Sequence, residues 1–245
     1  MKNSCIFANG VATIDIGNTN TTIGYFKDDN LIETIKRKTK GISYKFLLKK
    51  KPKHIIVSSV VPRVSKIIKS LYPNAKLIKL EELPIKDCPK TIGLDRAINL
   101  HTAAKIYSDN VTVVDFGTAI TISCLKDRHF AGGFIMPGID IMQQGLSKTA
   151  QLPYVDVFFY SYKFKKLGFP FKTNEAMAKG MFYLICEGVQ GIIKQIKKKL
   201  GDNQIIIATG GGSLLFGSEI EGIQVINPTL LLEGLNSFNV HFGLT

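Results

Sequence analysis

No tryptophan occurs among the 245 residues, and arginine is nearly as scarce: four residues (Arg37, Arg63, Arg96, Arg128) against 28 lysines. Arginine is the usual reader of base edges, and no helix-turn-helix, zinc or aromatic RNA-binding signature is present. A sequence-specific nucleic-acid reader is therefore disfavoured. Cysteine is sparse as well. Cys5, Cys88, Cys124 and Cys186 lie 83, 36 and 62 residues apart with no CxxC and no clustered histidines, so neither a disulfide framework nor a zinc site is expected. A reduced, cytoplasmic setting follows as an expectation. No apolar run approaches the ~18 residues of a membrane helix, and Asn9 and Gly10 interrupt the uncharged stretch after Lys2, so no membrane span or signal peptide is expected. Acidic residues are short too: Asp+Glu 19 against Lys+Arg 32 gives +13 and an isoelectric point near 9.5. Taken alone, that excess suits nucleic acid, an anionic membrane or small anions. What remains is ordinary for a globular chain of one large or two average domains, with 45% hydrophobic and 21% charged residues in 27.1 kDa.

Comparing the chain with itself reveals its organisation. Residues 13–30 (TIDIGNTNTTIGYFKDDN) align without gaps on residues 113–130 (VVDFGTAITISCLKDRHF), at an offset of one hundred. Asp15 falls on Asp115 and Gly17 on Gly117, each after a β-branched run and before a second run that closes in a polar turn. This reads as one β-hairpin used twice; chance similarity of two strand-turn-strand units is the alternative. The first hairpin is followed by a strand at 31–39, a basic helix at 44–51, a strand at 54–59, a helix opening at Pro62, a short strand at 76–80 and a helix at 94–107. The second is followed by a strand at 130–136, a long helix at 174–200, strands at 204–208 and 223–226, and a helix after Pro228. In the long helix Met181, Ile185, Val189, Ile192, Ile196 and Leu200 recur at spacings of three and four, giving one apolar face. The order of elements supports duplication, with domains at 1–108 and 109–245 joined by a short polar turn at Ser108 to Asn110.

Three elements carry chemistry. In Asp15-Ile16-Gly17-Asn18-Thr19, an aspartate ends a buried strand and a glycine opens the backbone to close approach. Such a turn suits hydrated Mg²⁺ and polyphosphate oxygens; an Asx turn in an ordinary hairpin is the other reading. The second copy, Asp115-Phe116-Gly117-Thr118-Ala119, placed facing the first, would line a cleft with an acidic residue and donors on both walls, as fits a nucleotide held between domains. Three glycines in Thr209-Gly210-Gly211-Gly212-Ser213 follow an apolar strand and precede a helix, leaving flat backbone for a nucleoside or forming a plain loop.

Together these elements resemble the acetate and sugar kinase, Hsp70 and actin superfamily. The motifs DIGNTNTT at 15–22, GLDR at 93–96, DFGTA at 115–119, GGFIMPGI at 132–139 and TGGGS at 209–213, in that order, resemble the type III pantothenate kinase family over residues 11–245. The resemblance implies an α/β fold of two tandem ribonuclease-H-like (actin-like ATPase) domains with an inter-domain cleft. It implies ATP-dependent phosphorylation of pantothenate to 4'-phosphopantothenate, the first step of coenzyme A biosynthesis, by a cytoplasmic homodimer binding neither nucleic acid nor membrane. Residue by residue, it implies that Asp15, Ile16, Gly17, Asn18, Thr19, Asn20, Thr21 and Thr22 bind ATP phosphates, with Asp15 near Mg²⁺. Gly210 and Gly211 would lie on the adenosine side. Gly93, Leu94, Asp95 and Arg96 would touch pantothenate, with Asp95 the proton acceptor. Asp115 would hold a monovalent cation, K⁺ or NH₄⁺, Thr118 would contact ATP, and Thr173 would contact pantothenate. Leu94 replaces the family's alanine, and a tyrosine common before that motif has no counterpart in residues 85–91. Arg96 could hold the substrate carboxylate or brace Asp95. The chemistry is consistent: phosphoryl transfer to an alcohol passes through a loose transition state, so a base needs only to orient the hydroxyl and take its proton late. Two alternatives are a small sugar kinase of the same superfamily and a nucleic-acid-binding regulatory relative.

Overall fold

The computed structural model describes residues 10–41, 52–158 and 168–241, apart from the side chains of Val240 and His241. The basic helix expected at 44–51 lies outside them. The chain divides into two compact units, Met1–Thr102 with Thr229–Thr245, and Ala103–Pro228.

The first unit is built on β1 (Val11–Ile16), β2 (Asn20–Lys27), β3 (Asn30–Lys38), β4 (His54–Ser59) and β5 (Lys76–Leu77), in the order β3-β2-β1-β4-β5. The first three strands form an antiparallel meander, and β4 and β5 add in parallel. Pro62 opens helix α1 (Pro62–Leu71) at the position where a missing N–H costs nothing. Its Val64 and Ile68 pack on Ile14, Ile16, Ile23 and Val57 of the sheet. Residues 76–80, expected as one strand, hold only the two residues of β5 before a 3₁₀ turn at Leu80–Glu82. Glu82 there bonds the Lys79 backbone N–H and pairs with the Lys76 ammonium, which closes the run as a turn. Helix α2 runs over Leu94–Ile106.

In the second unit, β6 (Val111–Phe116), β7 (Ala119–Lys126), β8 (His129–Pro137), β9 (Ile205–Thr209) and β10 (Val225–Ile226) take the equivalent order, β10-β9-β6-β7-β8. Helices α3 (Ile139–Thr149), α4 (Thr173–Leu200) and the one-turn α5 (Ser213–Phe216) accompany them; α3 was not foreseen from sequence. Helix α4 buries Met181, Ile185, Val189 and Ile196 as its periodicity predicts. Ile193 goes inside as well, while Ile192 and Leu200 stay at the margin. Over seven turns a 3.6-residue helix rotates away from any fixed three-and-four spacing, so the buried stripe drifts. Burial among these side chains pushes the Cys186 thiol up to about 12, with Glu219 and Glu187 adding to the effect. Gln204, fully buried, accepts from the Thr112 hydroxyl at 2.9 Å and donates to the Leu125 carbonyl at 3.1 Å, joining the start of β9 to β6 and β7.

The last helix, α6 (Leu230–His241), packs on β1 and β4, so the C-terminal segment returns to the first sheet. It crosses α2 at Gly234, where an added Cβ would lie 2.0 Å from the Thr102 hydroxyl and 3.0 Å from Ile98. Among the described residues, no helix is long and apolar enough to cross a membrane.

The repeat is closer than the alignment suggested, and its register differs. β1 and β6 correspond at an offset of 100, but Asp15 pairs with Thr22 while Asp115 pairs with Thr121. From the first turn onward the offset is therefore 99. The β2–β3 turn has positive φ at Asp28 and Asp29, and the β7–β8 turn at Asp127 and Arg128. Two-residue turns of this kind match the strand twist. Both hairpins also carry an irregularity one step earlier, at Tyr25/Phe26 and Cys124/Leu125. The gapless alignment thus needs one gap. The first turn, residues 17–19, is one residue longer than the second, residues 117 and 118.

Candidate active site

Asp15 and Asp115 occupy equivalent places. Each is the one residue of a six-residue strand that reaches the surface, all five others being buried. A central strand ends there, and the pleat turns the carboxylate out while its neighbours fill the core. Each aspartate also lies in a row of oxygen-bearing side chains: Thr22 and Ser58 are its registered partners in the first sheet, Thr121 and Thr209 in the second. Registered partners share a face, so each row is a patch of hard oxygen donors. Ser58 is fully buried, and its hydroxyl has no hydrogen-bond partner among the described residues. Such a donor set fits Mg²⁺ or an alkali cation, not a thiolate- or imidazole-seeking metal. Among the described residues no three His, Cys, Asp or Glu side chains converge as a metal cage, so a cation here would share its shell with ligand oxygens or water.

The first turn is shaped by its own backbone. The Gly17 N–H donates to the Asn20 carbonyl at 3.0 Å, and a Cβ on Gly17 would meet that oxygen at 3.1 Å. Of the eight residues expected to bind phosphate, Asp15, Gly17, Asn18, Thr19, Asn20 and Thr22 reach the surface. Ile16 is buried in the core with its carbonyl taken by the Val60 N–H at 3.1 Å, and Thr21 is buried with its hydroxyl 3.1 Å from Thr39. Those two shape the loop from beneath.

In the second unit the structure brings three separated motifs together. A Cβ on Gly210 would stand 2.1 Å from Asp115 Oδ1 and 3.1 Å from the Phe116 backbone, and Gly210 has φ +83°. The Gly212 N–H donates to the Phe116 carbonyl at 3.0 Å, and the Ser213 hydroxyl donates to the Gly210 carbonyl at 2.7 Å. Gly138, the glycine of MPGI, donates its N–H to the Thr118 carbonyl at 3.1 Å. TGGGS, DFGT and MPGI are thus packed backbone to backbone around Asp115. Phe116 and Phe216 stack beneath at 5.3 Å, and Phe182 of α4 stacks on Phe216 at 5.6 Å. Thr118 and Gly211 are exposed. Thr173, also exposed, is the first residue of α4.

Asp95 sits in the first turn of α2. The Gly93 carbonyl accepts the Ala97 N–H at 3.1 Å, so the helix begins at Leu94, and Asp95 Oδ1 accepts the Arg96 backbone N–H at 2.8 Å. That is the only hydrogen bond the Asp95 side chain makes among the described residues, and Oδ2 is left for a donor from outside. A Cβ on Gly93 would lie 2.5 Å from Asp95 Oδ1, the tip of a side chain that would have to swing aside. Leu94 and Arg96 are half-buried beside it. Burial raises the Cys88 thiol, with the Arg96 guanidinium pulling the other way, so Cys88 of the preceding loop lies near this motif. Gly93→Ala is expected to displace the Asp95 carboxylate and lower kcat while leaving the melting temperature almost unchanged. Unaltered turnover would show that this contact positions nothing.

Sequence reasoning passed over two residues. Thr39 was read only as the end of a strand, and Gly138 only as part of a motif. Both follow the third strand of a meander, and their equivalence at offset 99 is hidden by a gapless alignment.

The type III pantothenate kinase family model matches residues 12–195. A type III pantothenate kinase of Bacillus cytotoxicus is 31% identical, covering 92% of this chain and 94% of that protein. Among solved structures, one from Campylobacter jejuni, described as a Baf family transcriptional activator, superposes with a TM-score of 0.63 at 22% identity over 94% of this chain and 98% of that one. A protein from Listeria monocytogenes, described as a putative N-acetylmannosamine kinase, superposes with a TM-score of 0.53 at 13% identity, over 95% of this chain and 99% of that one. These superpositions bear out the α/β, actin-like ATPase fold. The extent and identity of the sequence matches place this chain in the type III pantothenate kinase family.

Proposed function

We propose that the protein transfers the γ-phosphoryl group of ATP to the primary hydroxyl of pantothenate, yielding 4'-phosphopantothenate and ADP at the entry to coenzyme A biosynthesis. Family membership sets the reaction. The structural observation that carries it is the duplicated Asp-x-Gly turn, each aspartate emerging from a buried central strand into a row of oxygen donors.

Asp15 would hold Mg²⁺ together with ATP, and the ion would supply neutralisation of phosphate charge. The chain's own groups do the rest. The turn at Gly17 to Asn20 holds the phosphates through backbone and hydroxyl donors. Asp95, anchored through Oδ1, orients the pantothenate hydroxyl and takes its proton at Oδ2 as the bond to phosphorus forms. Gly93, Leu94, Arg96 and Thr173 contact pantothenate; the Thr173 hydroxyl is exposed and makes no hydrogen bond among the described residues, which leaves it for a ligand. Gly210 and Gly211 face the nucleoside, and Thr118 faces ATP. Asp115 holds a K⁺ or NH₄⁺ ion with the oxygens around it. Dialysed enzyme is expected to gain activity on addition of K⁺ or NH₄⁺ and much less with Na⁺, and Asp115→Asn to abolish the response. Indifference to the cation counts against that role. The protein works as a cytoplasmic homodimer; Phe134, Ile135, Tyr154, Phe169, Phe171 and Leu184 leave the second unit with exposed apolar surface suited to a second copy.

The deciding experiment offers ATP with pantothenate, glucose and N-acetyl sugars in parallel and follows ADP release. Turnover with pantothenate alone supports the assignment. Preference for a sugar would transfer the site to that substrate, and a salt-sensitive gel shift without ATP turnover would favour a regulatory relative.

A further inference from the structure

Thr39 stands directly after β3, buried between exposed Lys38 and Lys40. Its backbone N–H donates to the Thr19 carbonyl at 2.9 Å. Its hydroxyl donates to the Gly17 carbonyl at 2.7 Å and lies 3.1 Å from the Thr21 hydroxyl. One residue therefore holds the turn at three alternate positions. The bond to Gly17 has a directional consequence. In a trans peptide the carbonyl and the following N–H point in opposite directions, so drawing the Gly17 carbonyl toward Thr39 turns the Asn18 N–H away from it, toward the open side of the loop.

The second unit supplies an internal comparison. Gly138 is the equivalent of Thr39 at offset 99, and its N–H makes the equivalent bond, to the Thr118 carbonyl at 3.1 Å. It has no hydroxyl and no room for one, because a Cβ there would be 2.3 Å from that carbonyl oxygen. The backbone latch thus belongs to the fold and occurs twice. The hydroxyl latch occurs only on the longer turn.

We infer that Thr39 is a positioning residue for ATP, its hydroxyl holding the Gly17 to Thr21 turn in the shape that presents backbone donors to the phosphates. The inference rests on the phosphate-binding reading of that turn. The test compares Thr39→Ser with Thr39→Ala, which differ only in the hydroxyl, and adds Thr39→Val, which keeps the shape of threonine, to serve if the alanine variant does not fold. MgATP affinity is measured by titration calorimetry, alongside KM for each substrate and the melting temperature. Alanine and valine variants are expected to weaken MgATP binding and raise KM for ATP by about tenfold, the effect of orphaning one part-buried acceptor. KM for pantothenate should stay within about twofold by the same reasoning, and serine should restore ATP binding. Folded alanine or valine variants that bind MgATP as the native protein does would overturn the inference, as would a serine variant equally impaired. The phosphoryl-transfer reading fails separately: a native protein that binds MgATP but does not phosphorylate pantothenate leaves this comparison intact, whereas one that binds no MgATP overturns both.

Discussion

Asp95→Asn enzyme is expected to fold normally and to lose roughly 10²- to 10⁴-fold in kcat, the usual range for a general base. The reasoning is local. Asparagine keeps an oxygen at Oδ1 to accept the Arg96 N–H, so the start of α2 is preserved. It replaces Oδ2 with an amide that cannot take a proton. The substrate hydroxyl would still be positioned, so KM for pantothenate should move little and the loss should fall on kcat. Single-turnover phosphorylation, with circular dichroism as a check on folding, measures this directly. Near-native turnover would remove Asp95 from the mechanism. Because phosphoryl transfer is dominated by alignment and charge, a residual rate well above solution is also expected.

Gly138→Ala is expected to produce the largest combined loss of stability and activity. Its backbone, at φ −76° and ψ 170°, is open to any residue, so conformation is not the obstacle. Space is: the new Cβ would stand 2.3 Å from the Thr118 carbonyl oxygen and 2.5 Å from that of Gly117. Neither is the tip of a flexible side chain, so the Asp115 turn itself must move. Overpacking of this kind costs about 1–3 kcal/mol, which in a chain of this size lowers the melting temperature by roughly 2–12 °C. The displaced turn carries Asp115 and Thr118, and a misplacement near 1 Å can cost about 10²-fold in rate. Gly145→Ala is the control: it lies in α3 with nothing within 4 Å of the added carbon, and should be neutral or slightly stabilising. If Gly138→Ala matches that control in melting temperature and rate, the close packing of MPGI on DFGT has no consequence.

How far the sequence could be read follows from where the information lies. Asp15 and Asp115 were visible because a strand that is otherwise apolar makes its one carboxylate conspicuous, and Asp95 because GLDR at 93–96 resembles the family's motif. The convergence of Gly210 and Gly138 on the Asp115 turn was not visible. Close approach of two backbones leaves no trace in either segment beyond a glycine, and glycines serve many ends. Thr39 was hidden differently. Threonine at a strand end is unremarkable until the turn it bonds is known to be one residue longer than its twin, and a register change of one residue cannot be seen in a comparison that allows no gap. Helix α3 escaped because it begins directly after Pro137-Gly138, residues that read as loop.

The return of the chain to its first unit also sets an order in time. Residues 103–228 are continuous and carry every strand of the second sheet, so that unit has all it needs once it has left the ribosome. The first unit, although translated earlier, lacks α6 until Leu230–His241 has been made, and until then β1, β4 and α2 at Ile98 and Thr102 stay uncovered. Domains usually mature from the N-terminus onward; here the later half can finish first. A chain released after residue 228 would therefore carry a complete second unit and a first unit still open to proteases and chaperones.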